Sequence, residues 1–307
     1  MSTAATPDEI AIGAPPRWRA DLSLAVVALI WGSTFIIVKS ALVEISTMYF
    51  LALRFAVAAF CMLALFAPAF RRAGWRAVVS GLAGGALAGV FLWTGFVLQT
   101  FGLKYTTAGK SGFITGLYIV LVPLISAAMY RRMPRIAELF GILIAAAGLT
   151  LLTIPSLELY MNVLTVGCAV AFALHLIVLG YYSQRQAFKA VALGQIAAAA
   201  VLSVLSLLVE PPRVHWSPNV VAALLITGVF GTALAFAVQT WAQQFTSTTR
   251  TALIFALEPV FALIAAAGLA GETLSGPGLI GAALILAGIL LVELKPALRV
   301  SQKGANF

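Results

Sequence analysis

Ten long apolar segments dominate the sequence and limit the kinds of fold that it can adopt. Each is roughly 20 residues long, the length that an α-helix needs to cross the hydrocarbon core of a bilayer. The chain is 62% hydrophobic and 9% charged, whereas a soluble domain carries about 25% charged residues. The apolar runs do not alternate with polar residues, which favours helices over a membrane barrel. The sequence therefore predicts an all-α integral membrane protein with ten transmembrane helices, at residues 22–42, 47–68, 77–101, 108–130, 136–154, 161–183, 190–209, 219–242, 250–270 and 276–294.

The second half of the chain repeats the first. The recurring residues, each pair 140 positions apart, are Gln99-Thr100 with Gln239-Thr240, Lys110 with Arg250, Gly141 with Gly281 and Gly148 with Gly288. Each copy holds five predicted spans, and an odd number of spans places the copies in opposite orientations across the membrane. We therefore predict two inverted five-helix repeats, at residues 22–154 and 155–294, with tails at 1–21 and 295–307. Inverted repeats let one scaffold open alternately to either side of a membrane.

The distribution of Lys and Arg predicts that both termini lie in the cytoplasm. With this orientation, only four of the 19 basic residues fall on the outer side: Lys39, Lys104, Lys110 and Arg213. One further basic residue, Arg54, lies within a span. Cytoplasmic loops normally carry such an excess of positive charge. The basic residues are scattered over short loops, so the net charge of +9 does not indicate nucleic-acid binding.

Several short motifs follow one another in an order that indicates a family. They are Trp31-Gly32-Ser33-Thr34-Phe35, Leu53-Arg54-Phe55, Leu257-Glu258-Pro259, Gly271-Glu272-Thr273-Leu274-Ser275, and the spacing of Gly281 and Gly288. Together they resemble the drug/metabolite transporter superfamily, in its ten-helix form with two tandem domains that occurs among bacterial metabolite exporters. The resemblance extends from Leu22 to Glu293.

This resemblance implies a secondary carrier that moves small organic solutes across a bacterial inner membrane by alternating access. The chain is most similar to bacterial amino-acid exporters, including those for aromatic amino acids. We therefore expect export of neutral or aromatic amino acids and related metabolites through a central cavity between the repeats. The alternative is a multidrug efflux carrier for hydrophobic cations, coupled or not to protons. A single chain holds both repeats, so a monomer suffices.

Aromatic side chains supply most of the predicted substrate site. The candidates lie on helices that correspond between the two repeats: Trp31, Phe35, Phe91, Trp93, Tyr118, Trp241 and Phe255. A cavity lined by such rings suits flat or apolar side chains. Gln99, Gln239 and Gln243 are candidates for bonding polar groups of the substrate. The predicted topology, however, puts Gln99 and Gln239 towards opposite membrane faces, where they would not share one site.

Three ionisable residues fall within predicted spans, where charge is costly unless it is paired or faces a wet cavity. Glu258 is a candidate for proton coupling or for binding a substrate amine, or it forms hydrogen bonds that steady the neighbouring proline kink. His175 is a candidate for hydrogen bonding to the substrate or a satisfied buried residue. Arg54 is expected to snorkel to the interface or to form a structural pair, with a substrate carboxylate as the other possibility.

Small and helix-breaking residues mark positions for packing and bending. Gly81, Gly85 and Gly89 recur every fourth residue and share one helix face, which predicts close packing against another helix. Pro123 and Pro259 lie inside apolar spans, where a proline bends the helix and acts either as a fixed kink or as a hinge. Their repeat positions differ by about one helical turn, which predicts an asymmetric cavity.

Other function classes find little support in the sequence. It contains no Walker loop for nucleotide binding and no spacing of Cys and His that indicates a metal site. An enzyme embedded in the membrane would need a nucleophile with a base or a pair of carboxylates, and the deep candidates are Glu258 and His175 alone. The sequence therefore predicts neither catalytic residues nor a cofactor. The expected partners are a small-molecule substrate and the lipid bilayer.

Overall fold

The structure is a computed structural model that describes residues 16–105, 111, 115–131, 136–151, 159–270 and 276–294. Some predictions fall on other residues and lie outside the described residues. These are Lys110 of the repeat pairs, the motif at 271–275, the tail at 295–307 and residues 1–15 of the N-terminal tail.

The described residues fold into helices, and they contain no β-strand beyond one isolated antiparallel bridge between Ile45 and Val214. In chain order, the helices are α1 (Arg17–Ala41), α2 (Thr47–Arg72), α3 (Trp75–Tyr105), α4 (Tyr118–Tyr130), α5 (Ile136–Leu151), α6 (Leu159–Ser183), α7 (Phe188–Leu205), α8 (Pro218–Ala242), α9 (Thr248–Phe255), α10 (Leu257–Ala270) and α11 (Gly276–Leu294).

Six of these helical stretches are long and apolar enough to cross a bilayer, and further apolar helices are shorter. The long ones are Arg17–Ala41, Thr47–Arg72, Trp75–Lys104, Phe188–Leu208, Pro218–Ala242 and Thr248–Ala265. Large apolar side chains such as Phe60, Leu65 and Phe140 are exposed on the outside of the bundle, where lipid can cover them. The all-helical prediction is thus confirmed for the described part of the chain.

Two of the predicted spans are less regular than expected. The segment predicted at 250–270 is interrupted at Ala256, between α9 and α10. Pro259 explains the interruption, because it has no N–H for the carbonyl of Phe255 and its ring clashes with that carbonyl. The segment predicted at 219–242 contains a π-helix at Ile226–Leu234 in the middle of α8. Pro123 behaves differently, since α4 runs through it and begins after a turn at Leu117.

Close backbone packing holds the centre of the bundle together. Helix α3 packs against α6 and α7, while α2 packs against α7 and the π-helical part of α8. Gly81, Gly85 and Gly89 face α7, and a methyl group at Gly81 would lie 2.6 Å from the β-carbon of Ala190. A methyl group at Gly85 would collide with the backbone carbonyl of Val191. Small residues on this face of α3 therefore set its distance from α7.

Substituting Gly85 by Ala should lower the free energy of unfolding by about 1–3 kcal/mol, as is usual for an overpacked contact. Its β-carbon would meet backbone atoms of α7, which cannot rotate away. Gly102→Ala is the matched control, because a β-carbon there has no neighbour within 4 Å. Thermal unfolding of both variants in detergent measures the difference. Equal stability of the two variants would contradict the proposed packing.

Candidate functional site

A cavity lies inside the helix bundle, bordered by α1, α2, α3, α4, α6, α8, α9 and α10. Its enclosed part has a volume of about 50 Å³, and the space between its walls is about 620 Å³ when the open mouth is counted. Six of the predicted site residues lie on its wall: Trp31, Phe35, Tyr118, His175, Phe255 and Glu258.

Aromatic rings in mutual contact form much of this wall. The ring of Trp31 lies 4.9 Å from that of Phe255 and 5.1 Å from that of Phe236, measured between centroids. Phe96 contacts Phe172 at 5.6 Å and Phe236 at 6.0 Å in edge-to-face arrangements. Rings that pack on one another in this way are rigid, so they offer a preformed apolar surface to a substrate.

The sequence motif that begins at Trp31 in α1 and the motif around Glu258 in α10 meet at this cavity. Gly32 of α1 lies directly against α10, since a β-carbon there would be 2.7 Å from the carbonyl oxygen of Glu258. This close approach lets Trp31 pack on Phe255 across the interruption between α9 and α10. The indole N–H of Trp31 is also fixed, because it donates a hydrogen bond to the carbonyl oxygen of Gly231 at 2.8 Å.

Arg54 is buried on the cavity wall and is held by the π-helix of α8. Its Nε donates to the hydroxyl of Thr232 at 2.7 Å, and an Nη atom approaches the carbonyl oxygen of Gly231 at 3.5 Å. The guanidinium carbon lies 4.6 Å from the centroid of the Phe96 ring. Arg54 is 4% exposed, so the expectation that it snorkels to the interface is wrong. The Thr232 hydroxyl and the Gly231 carbonyl of this π-helix hold the guanidinium group inside the bundle.

Glu258 lies at the first turn of α10, next to the interruption at Ala256, and is 3% exposed. Tyr118, at the start of α4, is its neighbour on the cavity wall, and the Tyr118 hydroxyl lies beside the Glu258 carboxyl group. Both residues thus stand where a helix begins after an irregular backbone. Non-helical backbone at membrane depth is tolerated where it borders a cavity, and polar side chains collect there.

His175 belongs to a buried chain of hydrogen bonds that joins three helices. Its Nε2 lies 2.8 Å from the Gln195 amide oxygen of α7. The Gln195 amide nitrogen donates to the Thr240 hydroxyl of α8 at 2.9 Å, and that hydroxyl donates to the carbonyl oxygen of Phe236 at 2.6 Å. The Nε2 of His175 therefore acts as the donor to Gln195. One ring nitrogen is used for structure, although the ring itself borders the cavity.

Gln99 and Gln239 both line the cavity, contrary to the expectation that they would not share one site. Gln99 donates to the hydroxyl of Thr115. The buried side-chain oxygen of Gln239 has no partner among the described residues, while its nitrogen approaches Gln243 at 3.4 Å.

Three predicted aromatic residues lie away from the cavity. Phe91 and Trp93 are partly buried on other faces of α3, and Trp241 packs on Phe245 at 5.4 Å. The residue missed on α3 is Phe96. Helical spacing from Gln99 would have found it, because Phe96, Gln99, Thr100 and Leu103 form one stripe that faces the cavity.

Comparison with known proteins identifies the family. The EamA-like transporter family matches the chain twice, at residues 18–154 and at residues 159–294. The chain belongs to the EamA-like transporter family. Because this family is part of the drug/metabolite transporter superfamily, the resemblance inferred from the short motifs is confirmed at that level. This EamA-like protein is a multi-pass membrane transporter and not an enzyme.

Relatives of this EamA-like protein agree with that assignment. It is 34% identical to an uncharacterized transporter of Archaeoglobus fulgidus, over 91% of this chain and 87% of the relative. It is 22% identical to the uncharacterized transporter YvbV of Bacillus subtilis, over 95% of this chain and 99% of the relative. A crystal structure with 21% sequence identity shares the fold with a TM-score of 0.72, over 91% of this chain and 98% of that one.

Substituting Gln195 by Leu should lower the free energy of unfolding by about 1–3 kcal/mol, because it leaves buried His175 without its partner. The matched control is Gln244→Leu, since the Gln244 side chain has no hydrogen bond to the described residues. Thermal unfolding in detergent compares the two. If both variants unfold alike, the chain of hydrogen bonds does not contribute to stability.

Proposed function

We propose that this EamA-like protein is a secondary carrier that exports neutral or aromatic amino acids and related small metabolites by alternating access. In this proposal, ten spans form two inverted five-helix repeats, at residues 22–154 and 155–294, with both termini in the cytoplasm of a bacterium. The protein works as a monomer in the inner membrane. The substrate binds in the cavity between the repeats.

The observation that carries this proposal is the aromatic cavity at the irregular points of three helices. The interruption at Ala256 and the turn at Leu117 adjoin residues on its wall, and the π-helix of α8 holds Arg54 on that wall through Thr232 and Gly231. Secondary transporters commonly bind substrate where helices are discontinuous near the middle of the membrane. Aromatic rings with a few polar groups favour a small substrate with an apolar side chain.

The reciprocal pairing of helices supports the inverted repeat. If the two repeats are related by a pseudo-twofold axis, α2 corresponds to α7 and α3 to α8. The packing of α3 on α7 then corresponds to the packing of α2 on α8, and both contacts occur. Likewise, α1 packs on α10 while α4 packs on α6, and α5 packs on α11. Such pairing lets the same scaffold close at either end.

The alternative of a carrier for hydrophobic cations is less compatible with the cavity. Glu258 and the aromatic rings suit a cation. The buried guanidinium of Arg54, however, lies on the same wall and would repel a substrate that carries only positive charge. We therefore favour a net-neutral substrate.

Counterflow in proteoliposomes tests the proposed function. We expect saturable exchange of a labelled aromatic or other neutral amino acid, which unlabelled neutral amino acids inhibit. A proton gradient imposed across the membrane then shows whether exchange is coupled to protons. Movement of a hydrophobic cation with no exchange of amino acids would contradict the proposal and support drug efflux.

Two ion pairs join the N-terminal and C-terminal halves of the chain at opposite ends of the bundle. Asp21 binds Arg250 through two contacts of 3.1 and 2.8 Å, and Lys104 binds Glu210 at 3.4 Å. Short loops join α1 to α2 and α2 to α3, so the start of α1 and the end of α3 lie at opposite ends. Under alternating access, each pair must separate when the cavity opens at its own end.

Asp21→Asn should therefore favour opening at the end where α1 begins. A cysteine placed at Gln239, in a background without Cys61 and Cys168, should react up to about five-fold faster with an impermeant thiol reagent from that side, since such ion pairs contribute about 0.2–1 kcal/mol. Lys104→Gln is the matched control at the other end and should not raise this rate. The same acceleration in both variants would argue that the pairs do not control access from separate sides.

A further inference from the structure

Arg54 is a buried cation whose remaining donors face the cavity. Its two contacts with α8 use Nε and one Nη atom, and a guanidinium group has five N–H donors. Arg54 forms no ion pair with any described residue. The other Nη atom makes no hydrogen bond with the described residues, and Arg54 lines the cavity. A buried cation without a counter-ion is costly, so this arrangement is suited to an anion that enters the cavity.

Glu258 is in the complementary situation. Its carboxyl group lies on the cavity wall, forms no ion pair with any described residue, and has the Tyr118 hydroxyl as its polar neighbour. The cavity reaches this carboxyl group, because Glu258 is one of the residues that line it. A carboxylate at membrane depth needs a partner or a wet cavity, and a ligand can supply that partner.

The two groups occupy one cavity without contacting each other. Rings in edge-to-face contact connect the two residues, since Arg54 contacts Phe96, Phe96 contacts Phe172, and Phe172 contacts Tyr118 beside Glu258. A purely anionic substrate would leave Glu258 without a partner, and a purely cationic one would do the same to Arg54. A zwitterion satisfies both, and its net charge of zero matches a wall that carries one group of each sign.

We infer that Arg54 and Glu258 are the two charge partners of a zwitterionic substrate, with Arg54 binding its carboxylate and Glu258 its ammonium group. The substrate side chain then lies on the aromatic rings. The contacts of Arg54 with Thr232 and Gly231 hold the guanidinium in place before the substrate arrives, which reduces the entropy lost on binding. This inference rests on the proposed function and assigns the residues that give it specificity.

The test is a binding series on the full-length protein in detergent, by calorimetry, with three ligands that share one side chain. These are phenylalanine, 2-phenylethylamine without the carboxylate, and 3-phenylpropionate without the ammonium group. The wild type should bind phenylalanine most tightly. Arg54→Gln should weaken binding of phenylalanine by about ten- to a hundred-fold, the range for a lost charged hydrogen bond. It should leave the affinity for 2-phenylethylamine unchanged or higher.

Glu258→Gln should show the opposite selectivity, weakening the binding of phenylalanine while leaving the affinity for 3-phenylpropionate unchanged or higher. In each variant the unaffected ligand demonstrates that the cavity is still folded. If a Gln variant does not fold, Arg54→Lys and Glu258→Asp replace it and should keep the order of ligand affinities with weaker binding. Equal loss of all three ligands in a folded variant, or no loss of phenylalanine, would overturn the inference.

The wild type separates this inference from the proposed function. Suppose that the wild type exchanges amino acids and that both variants still discriminate among the three ligands as the wild type does. Arg54 and Glu258 then do not have the assigned roles, but the proposed carrier function stands. Failure of the wild type to bind or exchange any neutral amino acid overturns the proposed function, and the roles of Arg54 and Glu258 with it.

Discussion

The hydrocarbon core of a bilayer has no water to bond a free peptide group, and the whole structure follows from that constraint. Backbone N–H and C=O groups must be satisfied within helices, and irregular backbone is tolerated only where protein or a cavity covers it. This transporter departs from a regular α-helix at Leu117, at Ala256 and over Ile226–Leu234. The turn at Leu117 and the interruption at Ala256 adjoin residues of the cavity wall, and the π-helix holds Arg54 on that wall through Thr232 and Gly231. Polar groups therefore face the cavity near the points where the helices are irregular.

Close packing elsewhere keeps that cavity in place. Glycines on α3 bring its backbone against α7, and Gly32 brings α1 against α10 beside Glu258. Lipid tails are as apolar as the helices, so association depends on van der Waals contact, hydrogen bonds and small residues rather than on a hydrophobic driving force. The large side chains that would prevent such contact are found on the lipid side, as at Phe60, or on the cavity wall, as at Phe236.

The sequence predicted helices and some cavity residues well, for reasons that are local. A run of 20 apolar residues needs no partner to be recognised, and a glycine every fourth residue defines a face by itself. It predicted Arg54 and Gln239 less well. Burial of Arg54 depends on a hydroxyl and a carbonyl of α8, some 178 residues away in the chain. The shared cavity of Gln99 and Gln239 depends on how α3 and α8 are placed in the bundle, which no local pattern encodes.

The sequence by itself determined the membrane class, the family and the residue types available to a substrate site, because hydrophobicity, duplication and motif order are properties of the chain. The tertiary structure decided which of those residues act together. Phe96 rather than Phe91 faces the cavity, and Trp31 meets Phe255 across an interrupted helix. It also decided that Arg54 and Glu258 share a wall without pairing. The physical reason is that helix rotation and crossing are set by contacts between distant segments, and each contact depends on the shape of both partners.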